Sequence, residues 1–503
     1  MKRAMKKNHL SSCLVAIAAL TFSCAATQQI EKNDVGSQTL AQLRQRIDQA
    51  LMDSSLSQSS AGLKIVSLET GEVLYQKNPT LLFHPASNMK LLTTAAALNR
   101  LGPSFRFETT LTADSVATGD SSVVGNLYFK GSADPELDDE SLRQMVVRMR
   151  AAGISHVTGD LVCDASYLDT LRLGVGWMWD DTNGNDWAPI SALSTNHNTI
   201  SITVSPADTL GEKLDVRLQP PTDFMKIDNA ATTVDSSDTV AIGNFSIERD
   251  WQLPRDIVRV RGGLAIHSAQ RSKVTDVVDP TLYAGTRLVE IMRRQGVDFR
   301  GRIVKARQPD SAVVIASHIS RPLGELMMEI NKPSDNLYAE LLLKTVAAEV
   351  KGPPGTAADG LAIVKEVLSQ AGVDSNEVYL VDGSGVSRYN LISPAHIVKL
   401  LIAMHNDFRI QAEFKASLPI AGRDGTLKNR MQNTPAAGKL RAKTGSLRGV
   451  SALSGYTTTA DGEPIVFSMM MQHFVGAATP VRTVQDQIGV LISSFSRRPS
   501  DKP

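Results

Sequence analysis

The chain has 503 residues, enough for about two to four domains with sizeable cores. Its 53 basic and 52 acidic residues nearly cancel, so no strongly basic face is implied and nucleic acid is not among the expected partners. Cys13, Cys24 and Cys163 are the whole cysteine complement, too few for an internal disulfide framework.

The N-terminus carries Lys2, Arg3, Lys6 and Lys7, then an apolar run over 14–22 and small residues over 23–26. This is the pattern of a secretory signal peptide, assigned here to 1–25. The run is too short to cross a hydrocarbon core of about 30 Å. Cys24 is a candidate lipid anchor; ordinary cleavage after Ala25 or Ala26 is the alternative.

The periodicity predicts a helix over 40–56, with Leu40, Leu43, Ile47 and Leu51 on one face, then strands over 61–68 and 72–76 around Glu69-Thr70-Gly71. Pro85 opens a buried helix that runs on through 91–98. From 105 to 276 short strand-like runs alternate with Gly, Asp, Ser and Asn turns, which predicts one or two small β-rich inserted domains. Helical signals return over 282–294, 322–331, 336–350, 357–371 and 394–406. After Lys439 come a strand, a hairpin around Ala460-Asp461-Gly462, a strand over 465–471 and a helix over 481–495, with a disordered tail over 496–503. The expected fold class is α+β. Residues 40–104 and 277–495 form one domain, an antiparallel sheet built from both ends of the chain and flanked by helices, interrupted by 105–276.

Three motifs occur in order: Ser87-Asn88-Met89-Lys90, Ser334-Asp335-Asn336 and Lys443-Thr444-Gly445. On a helix Ser87 and Lys90 share a face, and Ser87 falls in the first turn, among free N–H groups. A serine hydroxyl becomes nucleophilic when a base takes its proton; Lys90 serves if it is neutral, which burial and the nearby Lys443 favour. Ser334 can relay a proton to a leaving amine, and Asn336 can hold Lys90 and a substrate amide. Ser334 or Asp335 also fits a plain helix cap, and the two roles are compatible. Lys443 offers charge to a substrate carboxylate, Thr444 a hydroxyl, and Gly445 close approach to the backbone. The N–H groups of Ser87 and Ser446 can form an oxyanion hole. No Cys pair, His-x-x-x-His spacing or Gly-rich phosphate loop is present, so no metal or cofactor is expected.

Together these motifs resemble those of the penicillin-binding protein and serine β-lactamase superfamily. Within it the chain is similar to the low-molecular-mass class C penicillin-binding proteins, the D-alanyl-D-alanine carboxypeptidase/endopeptidase family (peptidase family S13). The closer match rests on Asp382-Gly383-Ser384-Gly385-Val386-Ser387-Arg388, Ala421-Gly422-Arg423-Asp424-Gly425-Thr426-Leu427, Gly176-Trp177-Met178-Trp179-Asp180-Asp181 and Ile190-Ser191-Ala192-Leu193-Ser194. The resemblance implies a transpeptidase-like domain, an exported periplasmic protein, and acylation of Ser87 by peptidoglycan stem peptides ending in D-Ala-D-Ala. It further implies cleavage of D-Ala-diaminopimelate cross-links and covalent capture of β-lactam antibiotics. It also assigns Asp181 and Arg388, with Arg448 nearby, to the free end of the diaminopimelate side chain. Ser132-Ala133-Asp134-Pro135 and His197 depart from the family pattern, both in the insertion. A β-lactamase or serine esterase, and a catalytically idle wall-binding or β-lactam-sensing protein, are the alternative readings.

Overall fold

The structure, a computed structural model, describes residues 39–116, 122–178, 187–250 and 256–497. The leader with Cys24, and Asp181, lie outside the described residues.

Helix α1 (Leu40–Ala50) is capped by Thr39, whose hydroxyl accepts the Gln42 N–H while the Gln42 side chain returns the bond. It ends earlier than the predicted 56, at a short turn over Ser54–Leu56. Strands β1 (Ser60–Ser67) and β2 (Val73–Lys77) follow. From the other end of the chain come β3 (Arg441–Leu447), β4 (Val450–Thr458) and β5 (Pro464–Gln472). All five make one antiparallel sheet in the order β3-β4-β5-β1-β2, as expected for the α+β class.

The sheet is buried on both faces, and strand alternation divides the side chains between them. Phe467, Met469 and Met471 face α1 and the C-terminal helix Thr479–Ser494, whose Ile488 and Ile492 complete that layer. Val466 and Met470 face the opposite layer. Its centre is helix α2 (Met89–Leu101), buried from Met89 to Leu98. Around it pack α3 (Asn336–Lys351) and the helices Leu323–Asn331, Ala357–Gln370 and Pro394–Asn406. Each buried Leu or Ile contributes about 1.5–3 kcal/mol, so this layer holds α2 rigidly beneath the site.

The insertion differs from expectation in two respects. It contains a helix, Asp139–Ala151, which buries Leu142, Met145, Val146 and Met149 at helical spacing. It also closes later than residue 276. Its seven-stranded sheet takes Glu108–Val116 and Ser122–Lys130, and also Asp298–Phe299, Ile303–Lys305 and Val313–Ile319. Asp298 lies opposite His156, and Ile303 opposite Leu161, in parallel pairs. Helix Pro280–Arg294 packs in the same core, so residues 280–319 belong with the inserted sheet and not with the catalytic one. Strands between Thr199 and Asp276 form three smaller sheets nested within it. No helix among the described residues is long and apolar enough to cross a membrane.

Candidate active site

Ser87 lies in a single 3-10 turn (Ala86–Asn88) that leads into α2, so the free N–H groups and positive end of the helix gather at its hydroxyl. One turn on, Lys90 is fully buried. Its Nζ donates to Ser87 Oγ at 3.2 Å, to Asn336 Oδ1 at 2.5 Å and to the Ser384 carbonyl at 2.8 Å. Three separate segments therefore fix the Lys90 side-chain nitrogen.

The second motif stands at the start of α3. Asp335 is the cap, accepting the Tyr338 N–H at 2.9 Å. Ser334 adopts the left-handed conformation (φ 72°), which turns its hydroxyl to the cleft wall, where it accepts from Lys443 Nζ at 2.8 Å. The cap thus falls to Asp335, which leaves the Ser334 hydroxyl to its contact with Lys443.

The third motif lies on β3, the edge strand of the sheet, where Thr444 is partly exposed between the buried Lys443 and Gly445. Thr444 Oγ1 donates to Thr426 Oγ1 at 2.8 Å. Thr426 is held there because its N–H donates to the Lys332 carbonyl at 3.0 Å and Asp424 pairs with Lys332. Gly445 has a different role from ligand approach. A Cβ at that position would stand 2.6 Å from the Pro85 carbonyl oxygen and 3.2 Å from the Ala86 Cβ. The space it leaves is filled by the nucleophile's own turn.

Lys443 also departs from expectation. It is fully buried, and its Nζ donates inward to Ser334 Oγ and to the Thr444 carbonyl at 2.9 Å. Burial first, and then the like charge of Lys90, push it well below the usual lysine range. It is poorly placed to meet a carboxylate in the cleft. Arg482, on the C-terminal helix, is better placed: it is partly exposed, lines the cleft and donates to Ser446 Oγ at 3.0 Å. Neighbouring Arg430 is tied to Asp486 at 2.7 Å. No carboxylate partner for Arg482 occurs among the described residues. Arg482 and Trp187 were not found by sequence reasoning, and Thr426, noted only within the Ala421–Leu427 stretch, was given no role; a lone arginine on a helix surface carries no motif.

The cleft between these walls has a volume of about 410 Å³ and is lined by Ser87, Ser334, Asn336, Thr444, Ser446 and Arg482, among others. Arg388 and Arg448 meet beside it, the Arg388 guanidinium donating to the Arg448 carbonyl at 3.1 Å. The insertion supplies the remaining wall. Trp177 Nε1 donates to Asp382 Oδ2 at 3.1 Å, and its ring meets Trp187 edge-on at 5.7 Å. His197 stacks on Tyr338 at 5.0 Å and pairs with Asp335 at 3.2 Å.

A base touching a hydroxyl at a helix start, facing a hydroxyl held by a second lysine, is equipment for acyl transfer through serine. The profile of the D-Ala-D-Ala carboxypeptidase 3 (S13) family matches residues 43–494. The chain belongs to this family. It is 36% identical over 479 residues to a D-alanyl-D-alanine carboxypeptidase of Actinomadura sp. (strain R39), covering 92% of this chain and 86% of that one. It is 28% identical to D-alanyl-D-alanine carboxypeptidase DacB of Haemophilus influenzae, over 81% of this chain and 84% of that one. Among solved structures, penicillin-binding protein 4 of H. influenzae superposes with a TM-score of 0.79 at 24% identity, covering 91% of this chain and all of the other. The same protein complexed with a β-lactam gives 0.72 at 26% identity, with 88% and 97% covered. The S13 fold thus accounts for the whole catalytic sheet and the insertion together.

Proposed function

We propose that the protein is a serine DD-peptidase of the exported, periplasmic compartment. In this reading it removes the terminal D-Ala from peptidoglycan stem pentapeptides, hydrolyses D-Ala-diaminopimelate cross-links, and is acylated by β-lactams. The observation that carries the reading is the Lys90 Nζ to Ser87 Oγ contact at 3.2 Å, opposite the Ser334–Lys443 pair.

In the acylation step Lys90 takes the Ser87 proton as Oγ attacks the carbonyl of the penultimate D-Ala. The N–H groups of Ser87 and Ser446 receive the developing oxyanion. The departing D-Ala nitrogen gains a proton by way of Ser334, which Lys443 orients. Water then hydrolyses the acyl-enzyme. The leaving group's carboxylate lies toward Thr444, Ser446 and Arg482. In a cross-link the leaving nitrogen also carries an adjacent carboxylate, so the same contacts serve both substrates. Arg388 and Arg448 are the residues for the far end of the diaminopimelate side chain, with Asp181 the acidic partner.

Mass spectrometry of products from a pentapeptide and from cross-linked wall fragments tests this, with Ser87→Ala alongside. Ser87-dependent loss of D-Ala is expected, with cross-link cleavage from the same preparation. Intact substrates from folded protein overturn the reading.

A further inference from the structure

Helix α3 places Glu340 one turn beyond Asn336, on the same side. Glu340 is 1% exposed, an acid inside the apolar run from Leu337 to Ala348. Its Oε1 accepts the N–H of Gly383 at 3.0 Å and that of Ser384 at 2.8 Å. The carbonyl of the same Ser384 accepts from Lys90 Nζ at 2.8 Å. Ser384 thus bridges the buried acid and the buried base, and α3 grips Lys90 twice, directly through Asn336 and indirectly through Glu340. Thr93, three residues after Lys90, fastens the same loop by donating to the Gly383 carbonyl at 2.7 Å.

Holding that loop does not require a charge. A glutamine can accept the same two N–H groups through its oxygen and meet the Ser384 hydroxyl, which the carboxylate also engages, without the cost of burying a charge. The negative charge therefore needs a use, and the neighbouring group that changes charge in the reaction is Lys90.

We infer that Glu340 is a positioning residue for acylation: through Ser384 it places Lys90, and it supplies the buried negative charge against which Lys90 takes up the Ser87 proton. The inference rests on the acyl-enzyme reading above. In that step the Ser87 O–H bond breaks as the bond from Oγ to the acyl carbon forms. The proton moves to Lys90 Nζ, which turns from amine to ammonium, and then leaves for the amine of the departing group. Glu340 neither gains nor loses a proton.

Asp382 is the acid whose charge acts on Glu340, Lys90 lies across Ser384 from it, and Lys344, one turn on in α3, is paired with Asp169. Asp382 is held by the N–H groups of Gly385 and Ser387 at 2.8 and 2.6 Å and by Asn390 Nδ2 at 2.7 Å. Burial, and then the Asp382 charge, push the Glu340 carboxyl up to about 7. Its charge thus builds as pH rises through neutrality and fades on acidification, on the side where Lys90 must also lose its proton to act.

The test is the second-order rate of acylation by a fluorescent penicillin as a function of pH, for wild type, Glu340→Gln and Glu340→Asp. Without the negative charge the ammonium form of Lys90 is harder to reach. The Gln variant should therefore show an acid limb moved down by about one pH unit and a plateau about ten-fold lower. The Asp variant keeps the charge and should keep the wild-type limb, at a lower plateau. A Gln variant with the wild-type rate and limb overturns the inference; so does a slower one with an unmoved limb, which marks a merely structural residue. Should the Gln variant not fold, the Asp variant decides: an unmoved limb supports the role of charge and a moved one overturns it. A wild type that is not acylated at all overturns the acyl-enzyme reading itself, and this inference with it.

Discussion

Gly385 packs so tightly on Ala86 that a Cβ at position 385 would stand 1.8 Å from the Ala86 carbonyl oxygen. Both residues have positive φ, 85° and 47°. The loop that receives the Lys90 ammonium is thus pressed onto the turn that carries Ser87. Gly385→Ala should separate them, at a cost of about 1–3 kcal/mol for overpacking and about 1–2 kcal/mol for the left-handed backbone. The expected result is a folded protein with a lowered melting temperature and fluorescent penicillin labelling below a tenth of wild type. Normal labelling would show that the turn tolerates the shift.

Arg482 is the exposed cation of the cleft wall beside Ser446. A charge-assisted contact to a carboxylate is worth about 1.5–3 kcal/mol, so Arg482→Ala should raise KM for a D-Ala-D-Ala peptide roughly 10- to 100-fold. A peptide amidated at its C-terminus should be turned over equally poorly by both enzymes. A uniform loss on both peptides, with unchanged KM, would assign Arg482 to the scaffold.

Lys443 is expected to lower stability at neutral pH, because burial disfavours its charged form. Its folded pKa lies well below 10.5, the ordinary value that the unfolded chain retains. The stability associated with its neutral form is full above that ordinary value, is lost as pH falls toward the folded pKa, and is constant below it. Lys443→Met should therefore raise the melting temperature at pH 7, by roughly 1–3 °C, while abolishing D-Ala release. The gain should shrink above pH 10. A destabilised methionine variant would show that the Ser334 and Thr444 contacts outweigh desolvation.

His197 couples the insertion to the second motif. The Asp335 carboxylate, against a smaller burial effect, raises its pKa above the usual histidine value of 6.5. Asp335 and, at longer range, Glu329 favour its charged form, and Tyr338 covers one face. The pairing is full below pH 6.5 and is lost as pH rises through the raised value. The pair is half-exposed and screened, so His197→Phe, which keeps the stack, should slow acylation only roughly two- to five-fold at pH 6 and less at pH 8. Equal effects at both pH values would rule out the ion pair as the cause.

Much of this was legible in the sequence for a physical reason: catalytic residues are read from short spacings that a single helix turn or strand enforces. Ser87 and Lys90 need one turn, and the helix expected over 336–350 is observed as Asn336–Lys351. The strands expected over 61–68 and 72–76 fall within one residue of β1 and β2. What escaped depends on distant pairing. The return of 298–319 to the inserted sheet rests on partners such as Asp298 and His156, far apart in the chain, and no local period announces it. Helix Asp139–Ala151 did have a period, masked by the turn-rich segments around it. Glu340 left one trace, an acid set between Ala339 and the leucines at 341–343, whose meaning depended on where Ser384 would arrive.

The contacts of Trp177 with Asp382, of Gly176 with Ser387 and of His197 with Asp335 tie the insertion to two of the loops that carry the chemistry. An engineer trimming this protein toward a minimal drug-capturing unit could not simply excise residues 105–319 and rejoin the ends. The cut would strip the outer support from the floor of Lys90 and from the cap of α3 at once. Each shortened version would need new side chains to buttress both loops before Ser87 could be expected to react.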